Sequence, residues 1–105
     1  PVLADVNQDG TNDLLIMSFD GHVILLDGET FNIIWKKFFS CHETYTSPAP
    51  GYFDKDSFID FMIIQNLGTF DFYKNSSVLV LSGKDGSILW QINSPRMQMI
   101  SPLTI

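Results

Sequence analysis

The stretch that decides the fold is DVNQDGTND, residues 5–13, which leads directly into the apolar run LLIM at residues 14–17. Asp or Asn stands at its first, third, fifth and ninth positions, and Gly10 stands at the sixth. Side chains at those positions and the backbone carbonyl at the seventh can converge on one Ca²⁺ ion if the chain turns sharply at the sixth. Gly10 permits that turn because it lacks a Cβ and can adopt a positive φ. The stretch therefore predicts a calcium loop that leads into a β-strand.

An acidic β-turn is the alternative interpretation of the same residues. Asp and Asn side chains also bond to backbone amides of their own turn, with no metal involved. A helix-loop-helix calcium site is excluded because Ile16 stands where that motif requires a glutamate at its twelfth position. The apolar run that follows the loop is typical of a strand and not of a helix.

The sequence contains an internal repeat. Pro1 to Met17 aligns with Pro48 to Ile64 at a constant offset of 47 residues. His22 to Trp35 aligns with Ser77 to Trp90 at an offset of 55 residues. This alignment places a second acidic loop in the second copy, where Asp54, Asp56 and Asp60 correspond to Asn7, Asp9 and Asp13. Self-similarity at a period of about 20–50 residues indicates a repeat architecture.

An insertion and a third copy complete the pattern. The difference between the two offsets leaves eight additional residues between Gln65 and Ser77, which we interpret as a loop insertion from Asn66 to Ser76. A third copy begins at Ser101 and follows the pattern of Ser47.

Each copy contains four short strand candidates separated by turn residues. Asp20-Gly21 and Asp27-Gly28 are typical hairpin turns, and the apolar runs are too short for helices. The runs show no alternation of apolar and polar residues, so we expect both faces of each sheet to be covered. The predicted strands are Val2 to Ala4, Leu14 to Ser18, His22 to Leu26 and Asn32 to Phe39 in the first copy, and Ala49 to Phe53, Ile59 to Gln65, Val78 to Leu81 and Ser87 to Asn93 in the second.

Four-stranded antiparallel units of this length, each packed between neighbours, are the blades of a β-propeller. The sequence therefore predicts an all-β fold with two consecutive four-stranded antiparallel blades of a larger β-propeller. The first blade, with the calcium loop, is predicted at residues 1–47, the second at 48–101, and the start of a further repeat at 102–105. Two blades cannot close a ring, so the remaining blades are expected as partners of this segment.

Composition narrows the function. There are 12 acidic residues against 6 basic ones, for a formal net charge of −6, which disfavours nucleic acid and anionic lipid as partners. The apolar runs are far shorter than the roughly 20 residues that span a bilayer, so no direct membrane insertion by this segment is predicted. A single cysteine, Cys41, cannot form an internal disulfide.

At family level, LADVNQDGTNDLLI resembles the acidic loop and following strand of the FG-GAP repeats of integrin α-subunit propellers. APGYFDKDSFIDFMII resembles a degenerate copy of it. The segments DGHVILLDGETFNIIW and SGKDGSILW are similar to the strand-turn-strand element of quinoprotein-like propellers. The combination is similar to the ectodomains of FG-GAP repeat single-pass transmembrane proteins. The resemblance implies an extracellular or lumenal location.

The resemblance also implies ligands for a structural calcium ion. The first loop would supply side-chain oxygens from four residues and one carbonyl, in the set Asp5, Asn7, Asp9, Asp13 and the Thr11 carbonyl. The second loop departs from the pattern, with Tyr52 in place of the first ligand and Ser57 in place of the turn glycine. Asp54, Asp56 and Asp60 would form a weaker second site.

The remaining motifs favour a binding module over an enzyme. Trp35 and Trp90 occupy the same repeat position and are predicted to pack between blades, while His22 and His42 lie in unrelated positions without a recognisable nucleophile. Asn75 begins an Asn-Ser-Ser glycosylation triplet. We predict a non-catalytic, membrane-anchored protein that binds another protein through the insertion. The alternative is a quinoprotein-like propeller, either a periplasmic assembly scaffold or a quinone-dependent enzyme.

Overall fold

The computed structural model describes residues 2–40, 42–44, 48–68 and 75–95. The regular secondary structure in these ranges consists of β-strands, as the sequence predicts. The predicted third copy lies outside them. The strands are β1 Val2–Ala4, β2 Asp13–Met17, β3 His22–Leu26, β4 Ile33–Phe38, β5 His42–Glu43, β6 Ala49–Gly51, β7 Asp60–Leu67, β8 Asn75–Leu81 and β9 Ile88–Pro95.

The first sheet is an antiparallel meander with the order β1-β2-β3-β4. Leu15 pairs with Leu25, which in turn pairs with Trp35, and a bulge follows between Leu25 and Leu26. In a meander the connections alternate between the two ends of the sheet. The acidic loop 5–12 and the β3–β4 turn at residues 27–32, here called the first turn, therefore lie at one end.

The second sheet repeats this meander with one difference, because its edge strand is divided. β5 and β6 both pair with the same edge of β7, and β8 and β9 follow on the other side. β5 is a strand that the sequence did not predict, and it belongs to the second sheet although it precedes Pro48. The β8–β9 turn, residues 82–87, is here called the second turn, and the bulge recurs between Val80 and Leu81.

The insertion is not a loop over its whole length, which corrects that expectation. β7 continues to Leu67 and β8 begins at Asn75, so that Asn66 pairs with Ser76 and Leu67 with Asn75. The inserted residues thus lengthen a hairpin, because the antiparallel ladder continues through both of these pairs. The long β7–β8 hairpin lies at the end of the second sheet opposite to its acidic loop.

The core lies between the two sheets. The first sheet contributes Leu15, Val23 and Leu25, and the second contributes alternate residues of β7 and β8, the list being Phe61, Ile63, Leu79 and Leu81. Val6, in the first acidic loop, belongs to the same cluster. Burying side chains of this size contributes about 1.5–3 kcal/mol each. Hydrophobic burial is therefore the main interaction that joins the two blades.

Trp35 is the most specific contact between the blades. It is 8% exposed, and its indole Nε1 donates to the carbonyl of Gly83 at 2.8 Å. Its ring lies on Gly86, where an added Cβ would come within 2.7 Å of Trp35 Cε3. The inter-blade role predicted for Trp35 is confirmed, whereas Trp90 is 37% exposed and its role stays a prediction.

Gln65 is a polar residue in an apolar setting. It follows Phe61 and Ile63 on the core-facing side of β7 and is completely buried. Among the described residues, neither its amide nitrogen nor its amide oxygen has a hydrogen-bond partner. The adjacent Asn66, on the opposite side, accepts a bond from the Ser76 hydroxyl at 2.6 Å.

We predict that Gln65→Leu leaves the free energy of unfolding unchanged or raises it by up to about 2 kcal/mol, because it removes a desolvated amide. The matched variant Asn66→Leu should lower it by about 1–3 kcal/mol, because it removes the acceptor of the Ser76 hydroxyl. Urea unfolding of both variants measures the difference. A loss of stability in Gln65→Leu as large as that in Asn66→Leu would contradict the assignment.

We also predict that Gly86→Ala lowers the free energy of unfolding by about 2–4 kcal/mol, because a Cβ would enter the Trp35 ring and strain a positive φ. Gly10→Ala is the matched control: its φ is also positive, at 88°, but an added Cβ there meets nothing within 4 Å. It should cost only about 1–2 kcal/mol. Equal losses in the two variants would show that the Trp35 contact is unimportant.

Candidate calcium-binding loops

The first acidic loop is organised by side-chain bonds to its own backbone. Asp5 accepts the N–H of Asp9 at 3.1 Å on one oxygen and the N–H of Gly10 at 2.8 Å on the other. Asn7 and Asp9 each accept the N–H two residues ahead, at 3.3 and 2.9 Å. Gly10 has the positive φ that the sequence predicts, and Gln8 also has one, of 61°. These bonds hold the predicted ligands in a compact turn.

Asp13 has a different role from the other loop residues because it is completely buried. One of its oxygens accepts the N–H of Val6 at 2.8 Å, and the other accepts the N–H of Gly28 at 3.0 Å. The carboxylate therefore ties the acidic loop to the first turn. An ionised carboxylate that accepts several amide bonds makes stronger bonds than a neutral acceptor.

Asp60 makes the same connection in the second blade. It is completely buried and accepts the N–H of Phe53 at 3.0 Å and the N–H of Gly83 at 3.2 Å. Gly28 and Gly83 are the equivalent turn residues of the two blades. An added Cβ would lie 1.6 Å from the Asn12 carbonyl oxygen at Gly28 and 1.7 Å from the Ile59 carbonyl oxygen at Gly83. Glycine is required at both positions because the turn backbone touches the loop backbone.

Two groups of carboxylates are close enough to share an ion. Oxygens of Asp9, Asp13 and Asp27 lie within 4.8 Å of one another, as do oxygens of Asp54, Asp56 and Asp60. The ligand set predicted from the loop motif does not include Asp27, which lies in the first turn. The sequence signal for Asp27 is its position directly before Gly28, the turn residue that recurs as Gly83. Ser82 stands at the position of Asp27 in the second blade.

The second loop retains the bonding pattern of the first. Asp54 accepts the N–H of Asp56, and Asp56 accepts the N–H of Phe58, both at 3.1 Å. A hydrogen bond to the Asp54 carboxyl raises the pKa of Asp56 above its ordinary value, since two adjacent carboxylates resist being charged together. Tyr52, at the position of the missing first ligand, is exposed.

The two acidic loops touch each other. The side-chain amide of Gln8 donates to the carbonyl of Ser57 at 2.7 Å. This bond places both carboxylate groups on the same end of the two-blade unit, opposite to the long β7–β8 hairpin. Lys84 Nζ lies 5.6 Å from the centre of the Phe58 ring, close to the second loop.

A second polar cluster lies in the β2–β3 turn. His22 Nδ1 is 2.9 Å from Asp20 Oδ1, and the Ser18 hydroxyl donates to the same oxygen. The imidazole bond lowers the pKa of Asp20, with a smaller contribution from Ser18. The sequence analysis did not connect these residues. The Ser18 hydroxyl bonds to the carboxylate and not to the imidazole, so it is not arranged as a nucleophile with a histidine base.

The glycosylation triplet lies in a strand. Asn75, the first residue of the triplet, is also the first residue of β8. Ser77, the third residue of the triplet, is buried, and its hydroxyl donates to Asn93 Oδ1 at 2.6 Å.

Cys41 lies outside the described residues. None of the described residues forms a helix that is long and apolar enough to cross a membrane.

Comparison with protein families agrees with this geometry. The model of the FAM234A/B beta-propeller matches residues 1–104. The chain belongs to this β-propeller family. No curated protein and no solved structure matches the sequence. The FAM234A/B assignment establishes that the two packed sheets are blades of a propeller.

We predict that Asp13→Asn lowers the free energy of unfolding by about 2–4 kcal/mol in the absence of Ca²⁺, because an amide group would then face a backbone N–H in the core. Asp9→Asn is the matched control, since Asp9 is exposed and Asn keeps the acceptor for Thr11. It should change stability by less than about 0.5 kcal/mol. Denaturation in a chelating buffer tests both, and similar values for the two variants would contradict the assigned role of Asp13.

Proposed function

We propose that this chain is a non-catalytic propeller segment of an extracellular or lumenal, membrane-anchored protein, and that it binds another protein. The observation that carries the proposal is the β7–β8 hairpin, which extends three residue pairs beyond the equivalent β2–β3 hairpin. Binding residues in such folds are concentrated in connections that a rigid scaffold positions. Within the described strands, the extension is the largest difference in strand pairing between the two blades.

The contacts of both histidines support a non-catalytic role. His22 bonds to Asp20 and lies 4.4 Å from the ring of Phe38, centroid to centroid. His42 Nδ1 lies 2.8 Å from the carbonyl oxygen of Ser40. These contacts fix the turn and the start of the second sheet, which is sufficient reason for both residues to be present.

We further propose that the family is related to the FG-GAP repeat propellers and that the first loop binds a structural Ca²⁺ ion. Carboxylates are the hard oxygen ligands that Ca²⁺ prefers, at about 2.3–2.6 Å, so ligand oxygens on opposite sides of one ion are separated by about 5 Å. The 4.8 Å grouping of Asp9, Asp13 and Asp27 fits that requirement. Asp5, Asn7 and the Thr11 carbonyl would complete the set, and Asp54, Asp56 and Asp60 would form the weaker site.

Bound calcium would fix the loop without being needed to fold the blade. Asp13 already holds the loop to the first turn through backbone amides. Extracellular calcium modules bind at about 0.1–1 mM, and Ca²⁺ at ten times its dissociation constant adds about 1.4 kcal/mol. The ion would also compensate the repulsion between neighbouring carboxylates.

We predict that Ca²⁺ at a few millimolar slows amide hydrogen exchange in residues 5–12 and that Asp9→Ala abolishes this effect. Asp20→Ala is the matched control, because it removes the same charge from an exposed turn outside both loops and should leave the calcium effect intact. Mg²⁺ should be less effective because it prefers rigid octahedral sites. Exchange that is indifferent to calcium in the wild type would refute the calcium site.

We predict that the purified chain binds to intact cells through a protease-sensitive surface component. A variant in which residues 65–77 are replaced by Asn-Gly, so that the hairpin ends at the Ile64–Val78 pair, should lose this binding, since the three additional residue pairs are removed. Phe19→Ala, in the shorter β2–β3 turn, is the matched control and should retain binding. Binding that is insensitive to protease treatment of the cells, or equal for the wild type and the shortened hairpin, would contradict the proposal.

A further inference from the structure

The two β-turns that end the third strand of each blade have the same backbone structure. In the first turn the N–H of Asp27 donates to the Asn32 carbonyl at 2.8 Å, and the N–H of Phe31 donates to the Asp27 carbonyl at 2.7 Å. In the second turn the two corresponding bonds, from Ser82 and Gly86, are both 2.8 Å long. Buried aspartates hold both turns in the same way. The first turn is therefore a structural copy of the surface on which Trp35 rests.

One substitution distinguishes the two surfaces. Phe31 occupies the position of Gly86, and both residues have a positive φ, of 61° and 78°. Trp35 approaches the Gly86 position so closely that a Cβ would lie 2.7 Å from its ring. A tryptophan that docked on the first turn in the manner of Trp35 would collide with the Cβ of Phe31.

Phe31 is unusual in its own right. A bulky residue with a positive φ is an outlier in folded proteins and costs about 1–2 kcal/mol. Its side chain is 73% exposed, so no packing within the described residues compensates for that strain. A strained, exposed aromatic side chain at a repeat interface indicates a contact with another blade.

The opposite face of the two-blade unit carries a tryptophan in the Trp35 position. Trp90 pairs with Val80 as Trp35 pairs with Leu25, and the same bulge follows in both sheets. Trp90 and Ile92 remain partly exposed there. The unit thus presents one tryptophan face and one phenylalanine turn, and these two surfaces are sterically incompatible.

We propose that the first turn is a selective docking surface for a blade with a small side chain at the Trp35 position, and that Phe31 supplies the aromatic contact at that interface. The inference extends the Trp35 contact, which defines how a strand of one blade meets the turn of the next. It follows that Phe31 excludes the Trp90 face of a second copy. One aromatic residue at each interface would then determine which blades can be neighbours. At the observed interface this residue is Trp35, from a strand, and at the proposed interface it is Phe31, from a turn.

The test is whether the Trp90 face of one copy can dock on the first turn of another copy. Phe31→Gly restores a turn like the second one and should let Trp90 of another copy dock on it. Trp90→Ala opens space for Phe31 and should also allow docking. Both variants should self-associate head to tail, with association constants about tenfold or more above that of the wild type in sedimentation velocity. Phe31→Gly relieves a strained φ, so it is not expected to impair folding.

Two controls separate docking from general stickiness. Phe31→Ala removes the aromatic ring but keeps the Cβ that would meet the tryptophan, so it should associate no more than the wild type. The double variant Phe31→Gly, Trp90→Ala lacks both aromatic groups and should also stay at the wild-type level. The proposal is overturned if neither single variant gains association, if Phe31→Ala gains as much as Phe31→Gly, or if the double variant associates as tightly as the single ones.

Discussion

The structure depends on one interaction that occurs twice, a buried carboxylate that joins two connections at the same end of a blade. Asp13 and Asp60 each lie at the start of a second strand and accept backbone N–H groups from the acidic loop on one side and from the turn on the other. Buried polar groups must be bonded, and a carboxylate that is bonded to two chain segments fixes both of them. Each blade is therefore closed at this end by its own side chain.

We call the bonds of each buried aspartate, Asp13 or Asp60, to its loop and its turn the carboxylate clamp. The clamp of the second blade, at Asp60, also positions the contact with the first blade. It holds Gly83 against the backbone at Ile59, which sets the position of the second turn. That turn supplies the carbonyl and the flat glycine surface on which Trp35 rests. The same aspartates belong to the two carboxylate groups that are close enough to share a metal ion. Blade closure and the candidate metal sites thus share Asp13 and Asp60, and Asp60 also positions the turn on which Trp35 docks.

The two ends of the unit are specialised differently. The acidic loops and both turns form one end, where side-chain bonds to the backbone are dense. The long β7–β8 hairpin forms the other end, where the ladder extends beyond the repeat. We propose that the propeller is stabilised at the first of these ends and binds its partner at the second.

Repeat structure made much of the fold predictable from the sequence. The alignment of residues 1–17 with 48–64 identified the strands because turn residues and apolar runs recur at fixed spacing, and two copies restrict the interpretation more than one. β5 was missed because His42 and Glu43 have no strand pattern, and they pair with β7 only through its extension. The insertion is predicted as a loop because it interrupts the repeat, but backbone pairing at Asn66 and Ser76 does not depend on the repeat pattern.

The candidate site was less predictable than the fold. The loop residues follow from a spacing pattern, but burial does not, so the clamp role of Asp13 was not separable from that of a metal ligand. Asp27 comes close to Asp13 only because the β3–β4 turn folds back, a tertiary contact that a linear motif cannot show. The role of Phe31 is also hidden from a linear motif, because it follows from the contact of Trp35 with Gly86 on the equivalent turn.

Amide hydrogen exchange at the clamp in the wild-type protein is the most direct test of this account. The N–H groups of Gly28 and Gly83, although they lie in turns, should exchange about as slowly as those of the central strands, because a buried carboxylate holds them. The N–H of Thr11, bonded to the exposed Asp9, should exchange much faster in a chelating buffer. If Gly28 and Gly83 exchange as fast as Thr11, the clamp does not exist and the account fails.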